Sequence, residues 1–203
     1  GSMRLDKIFS FVDECDIFAD IGCDHGYLSK AVADSGKAKR IICTDISEKC
    51  LSKAKELLGS RAEYRLGDGF EALGDITPDV AVISGMGGNT VLHIVGERKI
   101  PTLIVSPQGD VCKVRNSLTR SGYKITEDEV VKEGKRYYDV IKLSPGSQDL
   151  SDLQCEFGVF FDRGTPEFVE RLQRDKQNLL SYKNTPQNLY KLELIRRAEE
   201  CLR

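Results

Sequence analysis

The sequence predicts an α/β fold: a parallel sheet covered on both faces by helices and closed by an antiparallel hairpin. Three observations carry this. Short, nearly continuous apolar runs recur at 16–21, 41–45, 80–83 and 102–105, as in strands buried on both faces. Segments of helical periodicity lie between them, as crossovers joining parallel strands require. The pattern then changes to two strand-like runs, 123–131 and 136–143, joined by Glu133-Gly134-Lys135, which reads as a hairpin.

Each element has its own signal. Leu5, Ile8, Phe9 and Val12 fall at helical spacing and give a short amphipathic helix before the first strand. The first strand, 16–21, runs into Gly22-Cys23-Asp24-His25-Gly26, and a helix from Tyr27 to Ser35 follows, stopped by Gly36. The second strand ends on Asp45. Ser47 is expected to cap the next helix, with Leu51, Ala54, Leu57 and Leu58 on its buried face and Gly59 after it. A third strand, 62–66, ends in Gly67-Asp68-Gly69, and the fourth in Ser84-Gly85-Met86-Gly87-Gly88 before a helix over 90–95. The fifth ends in Ser106-Pro107-Gln108, with Asp110 expected to cap a helix reaching Leu118 and Gly122 to end it.

Residues 144–152 turn rich in Ser, Pro, Gly and Asp, which marks a linker. The segment 156–161 is expected to dock back on the main domain. Two helices then open on the same Thr-Pro pair, Thr165-Pro166 and Thr185-Pro186. Phe168, Leu172, Leu179 and Leu180 stripe the first, and Leu189, Leu192, Ile195 and Leu202 the second, as in a helical hairpin. The expected division is a main domain over 3–146 and a linker with a coiled-coil-like helical appendage over 147–203.

The 203 residues suit one main domain plus a small appendage. With a formal net charge of -2 the chain is no polycation, so a nucleic-acid partner would have to meet a local patch. No apolar run approaches the roughly 20 residues of a membrane span, and no signal peptide is visible. Gly1-Ser2 before Met3 reads as a cleavage scar and is set aside. Seven cysteines, odd in number and without a CxxC pair, read as free thiols of a cytoplasmic protein. Only two histidines, His25 and His93, argue against a Cys/His zinc site, and no metal is expected. Cys23 is expected to be a small packing residue rather than a nucleophile.

The loop after the first strand carries the most chemistry. Glycines there let a backbone approach a cofactor closely, and an acid ending the second strand can take both hydroxyls of a ribose. That pairing points to a nucleoside-containing cofactor. The dinucleotide fingerprint wants a middle glycine where this chain has Asp24. A carboxylate would repel a pyrophosphate but can accept from the ammonium of a methionine moiety, which favours S-adenosylmethionine over NAD. Asp45 is the expected ribose ligand, with helix capping as the alternative. Asp68 is expected at the adenine amino group, with a turn aspartate as the alternative. Ser84-Gly85-Met86-Gly87-Gly88 lies at the carboxyl edge of the sheet, where ligands bind in open α/β folds.

Asp20-Ile21-Gly22-Cys23-Asp24-His25-Gly26-Tyr27-Leu28 resembles the first motif of the bacterial tRNA (adenine-22-N1)-methyltransferase family. Gly67-Asp68-Gly69-Phe70-Glu71, Ser84-Gly85-Met86-Gly87-Gly88 and Leu103-Ile104-Val105-Ser106-Pro107-Gln108 are similar to its later motifs, as are Arg4-Leu5, Arg115 and Tyr138-Asp139 in order and spacing. The resemblance covers about residues 4–161; the helical tail matches only in kind. Gly26 stands where alanine is common and Gln108 where asparagine is common. The resemblance implies a Rossmann-like class I methyltransferase fold and methylation of N1 of an adenine in the tRNA D-arm region. It implies cofactor contacts at Asp20, Gly22, Asp24, His25, Gly26, Asp45, Ile46, Asp68, Gly69, Phe70, Ser84, Gly85 and Met86.

N1 of a neutral adenine carries a free lone pair, so methyl transfer needs no nucleophilic side chain. The product ring is cationic, and a carboxylate near the exocyclic amine stabilises the growing charge. Asp24 is the candidate, and it is also the candidate for the methionine ammonium. Tyr27 is expected to stack on or hydrogen-bond an everted base or to pack as a helix-start core aromatic. Arg4 is expected to hold a phosphate or the base edge, or to be a surface cation; His25 either lines the pocket or is a satisfied loop residue. Cation clusters suited to tRNA lie at Lys37, Lys39 and Arg40, at Lys132, Lys135 and Arg136, and along the tail at Arg171, Arg174, Lys176, Lys183, Lys191, Arg196 and Arg197. No aromatic RNA-binding sheet motif is present, so recognition of overall tRNA shape is expected. The rival readings are a methyltransferase on a small molecule or protein and a non-catalytic cofactor-binding module. A monomer is expected, with a homo-oligomer left open.

Overall fold

The computed structural model describes residues 2–203; Gly1, half of the dipeptide set aside above, lies outside the described residues. The order is α1 (Met3–Ser10), β1 (Cys15–Ile21), α2 (Tyr27–Ser35), β2 (Ala38–Asp45), α3 (Glu48–Leu58), β3 (Glu63–Leu66), β4 (Val80–Ser84), α4 (Gly88–Val95), β5 (Thr102–Ser106), α5 (Val111–Arg120), β6 (Tyr123–Glu133), β7 (Arg136–Pro145), α6 (Asp152–Phe157), α7 (Pro166–Ser181) and α8 (Pro186–Cys201). The seven strands form one sheet in the order β3-β2-β1-β4-β5-β7-β6. β1 to β5 run parallel, and β7 and β6 close the sheet antiparallel, as the sequence predicts.

Alternation along the strands divides the core. Ala19, Ile21, Ala81, Ile83, Leu103 and Val105 face α4 and α5. Phe18, Val80, Val82 and Ile104 face the other way, among residues of α1, α2 and α3. Each strand is therefore apolar on both faces, which is why the runs read as continuous.

β1 is central, with β2 on one side and β4 on the other. Ile21 pairs with Thr44 of β2 and with Ile83 of β4, so the three strands end level. Chain order reverses at β1, and the loops leaving that edge open a crevice between them.

Several details depart from the sequence reading. β2 begins at Ala38 rather than at its apolar run, and cross-strand pairs Lys39–Asp16 and Arg40–Glu63 accompany the charged extension. Asp110 precedes α5, but its side chain makes no capping bond: its backbone is left-handed (φ 52°), where a capping residue needs extended backbone. Ser2 is part of the structure: its hydroxyl caps α1 and donates to Glu133.

The tail docks back as expected at 156–161. Val159 enters the main core, and the rings of Phe157, Phe161 and Phe168 cluster at 5.9–6.1 Å. Thr165 and Thr185 both cap their helices. The stripe on α8 is rotated from the expected one. Leu194, Ile195 and Ala198 are buried, Leu189 is exposed, and on α7 so is Leu180. The inward face of α8 is set by packing on α6 and α7, which periodicity alone does not reveal. No helix among the described residues is long and apolar enough to cross a membrane.

Candidate functional site

The loops leaving the carboxyl ends of β1 to β5, together with α1, enclose a cleft of about 710 Å³. That is the scale of a small-molecule site. Its floor is the turn after β1. Gly22 sits at φ +72°, and a Cβ there would meet Met86 Cε at 2.2 Å. The left-handed backbone calls for glycine, and the flexible Met86 side chain lies over the space a Cβ would take.

Asp24 and Asp45 are locked together. The Asp24 N–H donates to Asp45 Oδ2 at 3.0 Å, and the Ser47 N–H to Asp45 Oδ1 at 2.9 Å. Each oxygen of an ionised carboxylate accepts twice, so each keeps one lone pair after these bonds. Asp45 thus presents a fixed pair of acceptors spaced for a vicinal diol. Ser47, not Asp45, caps α3. Asp68 lines the same cleft and makes no side-chain capping bond to the 3-10 turn that follows it.

Asp20 lies deeper, 4% exposed, and accepts from Ser29 Oγ at 2.7 Å. Burial pushes its carboxyl up to about 6, and the charges of Asp45 and Asp24 add to the rise while the Ser29 bond opposes it. This end of the cleft is anionic and prefers a cation. The Asp24 side chain, by contrast, is largely exposed. Its Oδ1 accepts from Cys50 Sγ at 3.4 Å and stands 3.6 Å from His25 Nε2.

Arg4 and Tyr27 form part of the wall beyond Asp24. Arg4 donates from Nε to Ser106 Oγ and from Nη2 to the Ser106 carbonyl, and its guanidinium stacks 4.4 Å from the Tyr138 ring centre. It is not the free surface cation of the alternative reading. Tyr27 is 60% exposed on the rim, which removes the core-aromatic alternative. His25 and Ile46 line the cleft beside these groups, and Gly69, Ser84, Gly85 and Met86 line it on the side of β3 and β4.

Two expected residues do not reach the cleft. Gly26 serves helix packing: at φ +85°, a Cβ would meet Ala54 of α3 at 2.9 Å. Phe70 is buried in the core, with the Arg98 guanidinium 5.4 Å from its ring. Cys23 packs in the core, as expected.

Sequence reasoning missed Thr44, Cys50 and Glu133 as cleft residues. Thr44 Oγ1 is the one buried side-chain polar atom without a hydrogen bond among the described residues. The position of Thr44 beside Asp45 was a usable signal. Cys50 and Glu133 carried none, because a helix and a hairpin bring them in from afar.

Most of the expected RNA-facing cations are already engaged. Arg171 is half-buried and paired with Asp139, Lys176 pairs with Glu199, Arg196 with Glu193 and Glu200, and Lys132 with Glu170. Lys37 donates to the Val12 carbonyl behind α1. Lys135, Arg136, Lys183, Lys191 and Arg197 make no ion pair among the described residues.

The family described as Methyltransferase domain matches residues 2–141. A Mycoplasma pneumoniae protein named "Putative tRNA methyltransferase" is 30% identical over 176 residues, covering 82% of this chain and 78% of that protein. The tRNA (adenine(22)-N(1))-methyltransferase of Bacillus subtilis is 28% identical over 160 residues, covering 74% and 67%. Among solved structures, that of M. capricolum TrmK in complex with the cofactor product S-adenosyl-homocysteine superposes with a TM-score of 0.88 at 25% identity, over 100% of this chain and 99% of that one.

Proposed function

The chain belongs to the methyltransferase-domain family, and from that premise we propose that it transfers the methyl group of S-adenosylmethionine to N1 of adenine 22 in tRNA. The donor half is carried by the graded set of acids in one cleft, with Asp20 buried, Asp45 fixed as a double acceptor and Asp24 exposed at the rim; the substrate half rests on similarity to the tRNA (adenine(22)-N(1))-methyltransferase of Bacillus subtilis.

The cleft fits the donor on its own terms. Asp45 keeps acceptors for a ribose diol, and Asp68 offers one for an adenine amine. When bound, the donor supplies an electrophilic methyl group on a sulfonium. The protein's part is orientation and charge.

One carboxylate need not serve two cations. Asp20, deep and partly starved of water, takes the methionine ammonium through the floor of the cleft. Asp24 is left for the exocyclic amine of the target adenine, where it stabilises positive charge growing on the ring as N1 takes the methyl. Tyr27 provides a face on which an everted base stacks. Arg4, fixed by Ser106 and Tyr138, holds the base edge or the adjoining phosphate. Residues 3–146 hold the donor and the base. Residues 147–203, with Lys135 and Arg136 at the hairpin, meet the RNA backbone. Free thiols throughout suit a reducing, cytoplasmic compartment.

The test is direct. Unmodified tRNA transcripts are incubated with the protein and labelled donor, and the product is mapped by primer-extension stops. The expected result is a single stop at adenine 22, absent from a transcript carrying guanine there; label in protein or small molecules but not in tRNA overturns the reading.

A further inference from the structure

We propose that Asp24, His25 and Cys50 form an exchangeable site for a thiophilic divalent cation, zinc in the first instance, at the rim of the cleft. Two of the three residues are neighbours in sequence, but Cys50 comes from the first turn of α3, so only the fold assembles the set. One ligand atom from each residue lies within 4.8 Å of the others. Asp24 Oδ1 stands 3.4 Å from Cys50 Sγ and 3.6 Å from His25 Nε2. Tetrahedral zinc bonds of about 2.0–2.3 Å place neighbouring ligand atoms roughly 3.5 Å apart. The two legs through Asp24 already have that span. Closing the third requires rotation of exposed side chains.

The donor set has the right character. A thiolate and an imidazole select zinc over magnesium or calcium, and three protein ligands leave one position for water. Binding is balanced by loss of the Cys50 thiol proton to solvent as the sulfur–metal bond forms. Few histidines argue against a structural zinc site; this site needs only one and holds no fold together.

Occupation has a functional consequence, and this half of the inference rests on the proposed function. The metal takes the Asp24 carboxylate away from the target base and adds positive charge where the ring becomes cationic. Zinc therefore inhibits methyl transfer.

Cobalt(II) reads the binding half without RNA or donor. Titrated into chelator-treated full-length protein, it is expected to bind at one equivalent, with tetrahedral visible bands and a near-ultraviolet thiolate-to-cobalt band. The thiolate band should vanish in Cys50→Ser, and affinity should fall at least tenfold there and in His25→Ala, with thermal unfolding showing both variants folded. The competing dithiol is Cys112 with Cys155, whose sulfurs lie 2.8 Å apart. A thiolate band that survives Cys50→Ser and disappears in Cys112→Ser overturns the proposal, as does no thiolate band at all. The inhibition half is read as the zinc concentration that halves methyl transfer, expected to rise at least tenfold in Cys50→Ser. Cobalt binding with unchanged zinc sensitivity overturns that half, and cobalt binding without any tRNA methylation by the zinc-free protein instead counts against the function.

Discussion

Arg171 of α7 grips Asp139 of β7 with both terminal nitrogens, at 2.8 and 3.1 Å, and Arg115 of α5 holds the same carboxylate from the other side at 2.9 Å. The Asp139 carbonyl accepts from Ser106 Oγ, which in turn accepts from Arg4 Nε in the cleft. One buried residue therefore joins the helical tail to the wall of the cleft. Removing a partner from a buried pair costs roughly 3–5 kcal/mol when the other charge is stranded. Asp139 keeps Arg115, so Arg171→Ala is expected to cost about 2–3 kcal/mol in urea unfolding. Because Arg4 loses part of its support, turnover should fall more than donor affinity. Equal losses in both would show that the tail does not bear on Arg4.

The same carboxylate sets an acid limit. Burial pushes Asp139 up, but Arg171 and Arg115 outweigh it and hold the group at about 2. Its contribution is complete above the unfolded value near 4 and is lost as pH falls toward 2, about 2.5 kcal/mol in all. Asp20 works in the opposite sense. Its folded value of about 6 lies above the unfolded one, so the empty protein loses stability as pH rises from about 4 to 6. Asp20→Asn is expected to be more stable than the parent at pH 7.5, by up to about 3 kcal/mol, and no more stable at pH 4. Calorimetry should show donor affinity of the parent falling as pH drops through about 6, with proton release on binding, and little pH response in the variant. A variant with the parent's stability at both pH values would refute the buried, protonatable carboxyl.

How much of this was visible in the sequence divides along a physical line. The fold was legible because strands buried on both faces leave apolar runs, and the β1 loop was legible because Gly22 and Asp24 are adjacent to such a run. Asp45 was found because it ends a strand, a position fixed by local pattern. What escaped depends on tertiary closeness: Cys50 meets Asp24 only once α3 packs, and Glu133 reaches α1 only through the hairpin. Arg171 was read as an RNA cation, since nothing local shows that Asp139 awaits it. Gly26 was read as a cofactor glycine, although Ala54 of α3 is what needs the space.

Under the proposed function, Asp24 is expected to separate catalysis from donor binding. Its backbone N–H orients Asp45, while its side chain is exposed and makes no bond on which folding depends. Asn tolerates the left-handed backbone at this position, φ 52°, better than most residues. Asp24→Asn should therefore leave stability within about 0.5 kcal/mol and donor affinity within a few fold. Turnover on tRNA should drop by roughly 10²–10³, the usual effect of losing one electrostatic group at a developing charge. A drop in donor affinity of the same size would return the ammonium to Asp24 and remove Asp20 from that role.

Tyr27 is proposed to receive the target base, and its variants distinguish stacking from hydrogen bonding. The ring is 60% exposed and buries little, so neither Tyr27→Phe nor Tyr27→Ala should shift thermal unfolding measurably. Stacking of a base on an aromatic ring is worth about 1–3 kcal/mol. If the face is what matters, Tyr27→Phe keeps near-parental kcat/KM for tRNA, and Tyr27→Ala loses roughly 5- to 150-fold with donor affinity unchanged. If the hydroxyl is what matters, Phe and Ala fall together. Tyr27 opens α2 directly after Gly26, in the turn whose Asp24 N–H fixes Asp45, so in the proposed function a single piece of backbone positions both base and donor. Lengthening that turn by one glycine between His25 and Gly26 should consequently reduce turnover at least as much as Asp24→Asn does, and single-turnover kinetics with saturating donor would show it.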